Sequence, residues 1–317
     1  MQRYNSFLCS ANFFLKNILM AHKAGFVSII GKPNVGKSTL MNVLVGERLS
    51  IITPKAQTTR HRILGIVNEE EYQIVFSDTP GIIKPKYSLQ ESMMSFVNGS
   101  LTDADVLLFV TDINEEHDEE DVLEKILNRN IPTIVLINKI DKAQQEQVDE
   151  KIAYWQEKLN PVAIYAISAL HKHNVDGLLD RVLEMLPEHP PYYDKEDLTD
   201  RSERFFVSEI IREKIFLNYQ KEIPYSTEVI VKSFKEEALK NGKGSMVRIT
   251  AEIVVERDSQ KNILIGTAGS MLKKVGTEAR IETEKFLDTK VFLELFVKVI
   301  PDWRSKKNYL KSFGYDN

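Results

Sequence analysis

The sequence predicts an α/β protein in two parts: a parallel-rich sheet flanked by helices, then a smaller α+β unit. Three observations carry that prediction. Residues 31–38 form a glycine-containing loop between an apolar run and a helix-like run. Three further apolar runs each deliver a short polar motif, at 78–81, 138–141 and 168–169. From residue 205 the pattern becomes helix, strand, strand, helix, helix, strand, and the balance of charge reverses.

Phe26-Val27-Ser28-Ile29-Ile30 has strand composition, and Thr39 to Val45 has helical spacing. Between them, Gly31-Lys32-Pro33-Asn34-Val35-Gly36-Lys37-Ser38 completes a G-x-x-x-x-G-K-[ST] pattern at the strand-to-helix turn that the pattern requires. Its glycines let backbone N–H groups close around an anion, and the helix N-terminus points partial positive charge at the same place. Lys37 adds a full charge for the β/γ-phosphates, and Ser38 is placed to ligate Mg²⁺.

The next strand-like run, Val75-Phe76-Ser77, leads into Asp78-Thr79-Pro80-Gly81. Here Asp78 can hold Mg²⁺ through its water shell, and the Gly81 N–H can bond a γ-phosphate, so the segment can sense that phosphate. Thr133 to Ile137 then delivers Asn138-Lys139-Ile140-Asp141. Guanine offers N1–H and N2–H₂ as paired donors, which the Asp141 carboxylate accepts, whereas adenine lacks that pair and would leave buried groups unpaired. Lys139 can lay its apolar stem over the ring. Ala163 to Ile167 ends at Ser168-Ala169, whose backbone N–H groups are expected to face the guanine O6.

The order of these motifs resembles the small guanine-nucleotide-binding proteins, and Gln57-Thr58-Thr59-Arg60-His61 fits their first switch segment. The resemblance implies that one threonine, Thr59 ahead of Thr58, closes over Mg²⁺ when GTP is bound. Ile82 follows Gly81 where many such proteins carry a glutamine that orients the attacking water. An isoleucine cannot do that, so intrinsic hydrolysis is expected to be slow. Asn34 resembles the asparagine that helps bind K⁺ in cation-stimulated relatives, so K⁺ stimulation is a further expectation.

The remaining composition bounds the setting. The chain has 317 residues, enough for two domains, and a single cysteine, Cys9, so an intrachain disulfide is excluded and a reducing compartment is expected. No apolar run approaches the eighteen or so residues of a membrane span. His171-Lys172-His173 reads as a solvated loop ahead of a metal site. The overall charge of −4 hides an asymmetry: residues 201–317 hold 22 Lys+Arg against 17 Asp+Glu, net +5, and residues 1–200 hold 20 against 29, net −9. Met20 precedes the first strand closely, so residues 1–19 read as an extension or a mis-assigned start. An interrupted signal peptide is the weaker alternative. The expected layout is a first domain over 20–187, a linker over 188–203, a second domain over 204–302 and a tail over 303–317.

In the second domain, Phe205 to Tyr219 reads as a helix, Ser226 to Ser233 and Met246 to Glu256 as strands, and Asn241-Gly242-Lys243-Gly244 as the turn between them. An apolar helix end, the G-x-x-G loop Gly266-Thr267-Ala268-Gly269 and a helix from Ser270 resemble a KH domain of the second topological type, whose glycine loop admits a nucleic-acid backbone. Thr267-Ala268 departs from the usual cationic loop and leaves Lys273 and Lys274 as the nearest positive charges. A P-loop GTPase domain followed by a type II KH domain resembles the Era family of GTPases over Met20 to about Lys307. That resemblance implies a GTP/GDP switch binding near the 3′ end of 16S rRNA and acting in 30S subunit assembly. It further implies a mainly cytoplasmic protein with some peripheral association with the inner membrane, and a monomer is expected. A GTP-driven protein or membrane switch whose KH-like domain no longer binds RNA is the alternative.

Overall fold

The computed structural model describes residues 22–115, 126, 129–238 and 245–315. The expected extension at 1–19, Cys9 and the turn at 241–244 therefore lie outside the described residues.

The first sheet contains β1 (Lys23–Ile30), β2 (Ile63–Asn68), β3 (Tyr72–Asp78), β4 (Val106–Asp112), β5 (Thr133–Asn138) and β6 (Ala163–Ala166), in the order β2-β3-β1-β4-β5-β6. Only β2 runs antiparallel to its neighbour. The strand sequences explain the arrangement. Val106 to Phe109 and Ile134 to Ile137 are unbroken apolar runs buried throughout, which suits strands covered on both faces.

Helices α1 (Lys37–Val45), α2 (Ser88–Asp103), α3 (Gln145–Leu159) and α4 (Asp176–Met185) supply that cover. Leu40 and Met41 of α1 pack with Leu178 and Val182 of α4 in one core; Phe96 of α2 and Trp155 of α3 lie in the other. The chain leaves β1 for α1, and β1 has β3 on one side and β4 on the other. The carboxyl end of β1 is thus a switch point, where such sheets open a crevice for ligands.

The second sheet is β7 (Glu228–Ala238), β8 (Ser245–Val255) and β9 (Lys290–Val299), with β7 antiparallel and β9 parallel to β8. Around it lie α5 (Glu203–Asn218), a short α6 (Ile223–Ser226), α7 (Asp258–Ile265) and α8 (Ser270–Leu287). The expected order of elements is present, with α6 as an addition. Alternate residues of β8, Val247, Ile249, Ala251 and Ile253, face a core shared with α5 and α8, the period of a sheet covered on one face.

Two expectations change. Residues 188–203 contain no regular element before α5, yet they are not a free linker. The Tyr192 and Tyr193 N–H groups donate to Gln73 Oε1 at 2.7 and 3.0 Å, and Ile66 N donates to Leu198 O at 2.9 Å. The segment covers the exposed edge of β2, satisfying backbone groups that an edge strand leaves open. Nor is the stretch after 302 a loose tail. Trp303 opens a 3₁₀ turn followed by α9 (Lys307–Ser312), and Trp303, Leu310 and Tyr315 are buried in the α2 core. Its apolar residues are spaced to cover a surface, and that surface belongs to the first domain.

Candidate functional site

A cleft of about 530 Å³ opens at the carboxyl edge of the first sheet, running from Lys37 and Ser38 at one end to Asp141 and Leu170 at the other. Its phosphate end is shaped by close backbone approach. Gly36 has φ +102°, and a Cβ there would lie 2.2 Å from Asn138 Nδ2. A Cβ on Gly81 would lie 2.5 Å from Pro33 N, so the 78–81 segment touches the loop directly. Ile82 N donates to Gly31 O at 3.1 Å, and Thr79 Oγ1 donates to Ile29 O at 2.8 Å. Lys37 is buried, its Nζ donating to Gly31 O at 3.1 Å and Lys32 O at 2.7 Å. Burial lowers its pKa to about 8 against the opposing pull of Asp78 and Glu115.

Beside it, four oxygen-bearing side chains converge. Asp78 Oδ2 accepts from Ser38 Oγ at 2.7 Å and Ser50 Oγ at 2.8 Å, and Thr59 Oγ1 lies 2.8 Å from Ser38 Oγ. Burial pushes the Asp78 carboxyl up, against the hydrogen bond from Ser38. Its Oδ1 is buried with no hydrogen-bond partner. An orphaned carboxylate oxygen among hard oxygen donors fits Mg²⁺, which takes such ligands and keeps part of its water shell. Thr58 does not reach this point, because its Oγ1 donates to Lys55 O at 2.7 Å within its own loop.

At the base end, Asp141 Oδ1 accepts from Ser168 Oγ at 2.6 Å, and that bond holds its carboxyl below the usual range. The carboxylate is therefore aimed and charged. Lys139, at φ +66°, donates to Asn34 O and Asp112 Oδ2, both at 2.6 Å, and ties the base motif to the phosphate loop. Asn138 is a buried strap. Its Nδ2 donates to Val35 O at 2.8 Å, and its Oδ1 accepts from Ala169 N at 2.9 Å. The expectation for the 168–169 backbone changes here: Ser168 N donates to His173 O at 3.1 Å and Ala169 N to Asn138, so both donors are engaged within the protein. The buried strap takes one and the turn through His173 the other. Among the described residues no group of three or more His, Cys, Asp or Glu could hold a metal, and His171 stands exposed, 4.0 Å from Asp141.

The segment 57–61 divides in two. Gln57 lines the cleft and accepts from Gln90 Nε2 at 3.3 Å, and Thr59 reaches Ser38. Arg60 and His61, the last two residues of the expected switch segment, turn away from the cleft. Arg60 is buried against the second domain, donating to Thr227 O at 2.7 Å, Pro224 O at 3.0 Å and Glu228 Oε2 at 3.1 Å. His61 stacks on Tyr315 at 4.2 Å, and burial, with Arg201, Arg212 and Arg60 around it, lowers its pKa well below the ordinary value. The second domain offers Arg60 two carbonyls and a carboxylate, and Tyr315 offers His61 a ring to stack on.

Sequence reasoning missed Ser50, Asp112 and Arg212. Asp112 had a signal, since β4 is an apolar run ending in an acid like β3. Arg212 had none, because its helix reads as amphipathic and nothing local marks the contact.

A second groove of about 390 Å³ runs beside the glycine loop of the second domain, between α8 and β9. Gly266, Ala268 and Gly269 all have positive φ, at +72°, +49° and +77°, and Thr267 to Gly269 make a single 3₁₀ turn. Lys273 lines the groove with Leu272, Leu293 and Arg280. Lys274 does not: one position further round the helix, it faces Glu278 at 3.9 Å.

Residues 26–139 match the family described as 50S ribosome-binding GTPase, and residues 222–304 match the KH domain. Fold and site thus define a P-loop GTPase joined to a KH domain. The chain is 44% identical over 296 residues to the GTPase Era of Staphylococcus haemolyticus, covering 93% of this chain and 97% of that one. It is 45% identical over 295 residues to the GTPase Era of Geotalea daltonii, covering 92% and 98%. A variant of Aquifex aeolicus Era bound to GDP and AlF₄⁻ superimposes with a TM-score of 0.88 at 43% identity, over 93% of this chain and all of that one. Era in complex with MgGDPNP and nucleotides 1506–1542 of 16S ribosomal RNA gives the same TM-score at 42% identity, with the same coverage. The chain belongs to the Era family of GTPases and hydrolyses GTP.

Proposed function

We propose that this chain is a GTP-driven switch that binds 16S rRNA near its 3′ end and acts, as a cytoplasmic monomer, in assembly of the 30S subunit. One observation carries the reading. Residues 48–61 bond the second domain at Arg48, Lys55 and Arg60, while Thr59 of the same stretch reaches the oxygen cluster around Asp78. A change at the phosphate end therefore has a covalent route to the domain that carries the groove. The Era structure holding both MgGDPNP and 16S rRNA supports the choice of RNA.

In this reading the loop from Gly31 to Ser38 cradles the phosphates, Lys37 charges the β/γ end, and Asp141, aimed by Ser168, accepts from guanine. Lys139 and Asn138 hold the base motif to the loop. Ser38, Thr59 and, through water, Asp78 would hold Mg²⁺, which would neutralise charge on the phosphates. The Gly81 N–H faces the γ-phosphate, and Ile82 offers the attacking water nothing to bond, so turnover is slow without help. Asn34 supplies an oxygen suited to K⁺ beside the phosphates; equal turnover in K⁺ and Na⁺ would remove that element. Gly266 to Gly269 and Lys273 take the RNA backbone.

Because coupling between sites is reciprocal, GTP and RNA must favour the same state. Binding of an rRNA 3′-end oligonucleotide and a scrambled control, each with a non-hydrolysable GTP analogue and with GDP, tests this. Tight, sequence-dependent binding only with the analogue is expected; identical affinities in all four arms would sink the proposal. The absence of a cation at Thr267-Ala268 favours the second reading, a protein or membrane switch, and that outcome would move the target there.

A further inference from the structure

The structure assigns Arg212, on the first helix of the second domain, as a positioning residue for Thr59 in GTP hydrolysis. The assignment rests on the reading of Thr59 as a magnesium ligand. Arg212 Nη2 donates to the carbonyl oxygen of Thr58 at 2.5 Å, the peptide that immediately precedes Thr59. On the other side, Arg60 is fixed to Pro224, Thr227 and Glu228. Thr59 is therefore bracketed by two anchors in the second domain, one residue away in each direction, with its Oγ1 2.8 Å from Ser38 Oγ.

The anchor is rigid. Arg212 is fully buried, and burial, which opposes its charge, is outweighed by Glu209 one helical turn earlier, so it stays protonated. Its Nε donates to Glu209 Oε1 at 2.7 Å, and its guanidinium lies 5.3 Å from the centre of the Phe216 ring. Glu209, Arg212 and Phe216 all belong to α5, so the guanidinium is aimed by the helix itself. Its Nη1 remains buried without a partner. A threonine whose neighbours are already ordered loses less freedom when the metal and γ-phosphate recruit it, and misplacement by an ångström is enough to slow a positioned reaction substantially. The GTPase site is thus completed from the second domain.

The test uses the full chain with Arg212→Met, Thr59→Ala and the double variant, measuring turnover against Mg²⁺ concentration and the affinity for GDP. Arg212→Met is expected to lower turnover about tenfold and raise the half-saturating Mg²⁺ about tenfold, with GDP affinity unchanged within about twofold. In the Thr59→Ala background it should add less than about twofold, because the two act as a unit. Arg212→Lys should recover part of the loss. An equal loss of GDP and GTP-analogue affinity, or a full loss of turnover from Arg212→Met on top of Thr59→Ala, would overturn the assignment alone. A normal Mg²⁺ requirement in Thr59→Ala would overturn the metal reading and the assignment with it. Should Arg212→Met not fold because Glu209 is left as an unpaired buried charge, Glu209→Gln with Arg212→Met removes both charges and answers to the same outcomes.

Discussion

The protein contains two glycine loops, each at the N-terminus of a helix, and they differ in depth. The loop at 31–38 lies under the 78–81 segment, with Lys37 buried, Gly36 close against Asn138, and Pro33 close against Gly81. The loop at 266–269 stands open: a Cβ on Gly269 would meet nothing within 4 Å, and Lys273 is exposed. The same local device therefore suits two kinds of ligand. A buried loop with one desolvated cation can recognise the end of a small anionic molecule, whereas an open one admits a polymer backbone and must share its affinity among many weak contacts.

Five variants or conditions would break or sharpen this contrast. The largest effect belongs to the base end of the deep site. Asp141→Asn should move the ratio of GTP to XTP affinity on the order of 10³-fold, because the carboxylate that accepts two guanine donors becomes half a donor itself. Competition of the two nucleotides against a fluorescent GDP measures it, and an unchanged ratio would show that the base lies elsewhere. Lys37→Met should weaken GDP binding about 100-fold, the worth of one buried charge-assisted hydrogen bond.

The pH dependence follows from the same lysine. Free Lys37 loses its proton above about pH 8, and bound phosphates favour the protonated form. Nucleotide affinity should thus be flat below pH 8 and fall by up to about tenfold per unit above it. Calorimetry at pH 8.5 in buffers of different ionisation enthalpy should show proton uptake on binding, absent in Lys37→Met. In the open loop effects should be small. Lys273→Ala is expected to weaken RNA binding about threefold and lower the salt slope by about 0.7, the share of one phosphate contact on a single strand. Lys274→Ala, already facing Glu278, should change neither by more than the error of a filter-binding assay.

The comparison also separates what could be read locally from what could not. The motif residues of the deep site announced themselves because phosphate and base recognition need a few residue types at fixed spacing on one strand-to-loop junction, whereas Ser50 and Asp112 lie outside those motifs. The KH order was legible for a similar reason, since the helix and strand periods switch cleanly along 205–300. Where Arg60 and His61 come to rest was not legible, because the motif they belong to is contiguous in sequence while its two halves face different ways. Residues 303–315 misled because a short helix with three large apolar residues looks like a tail until the surface that buries Trp303 and Tyr315 is known.

By itself the sequence determined the nucleotide chemistry: the phosphate loop, the acid for guanine and the lack of a glutamine after Gly81 are covalent facts that folding cannot rearrange. It also determined the existence of a second α+β unit with an uncharged glycine loop. Only the tertiary structure decided which threonine meets Ser38, that the 168–169 N–H groups are spent inside the protein, and that Arg212 holds the Thr58 carbonyl across 154 positions of chain. The reason is physical. A hydrogen bond between distant residues depends on the packing of whole elements, and no local pattern of residue types records where that packing brings a side chain to rest.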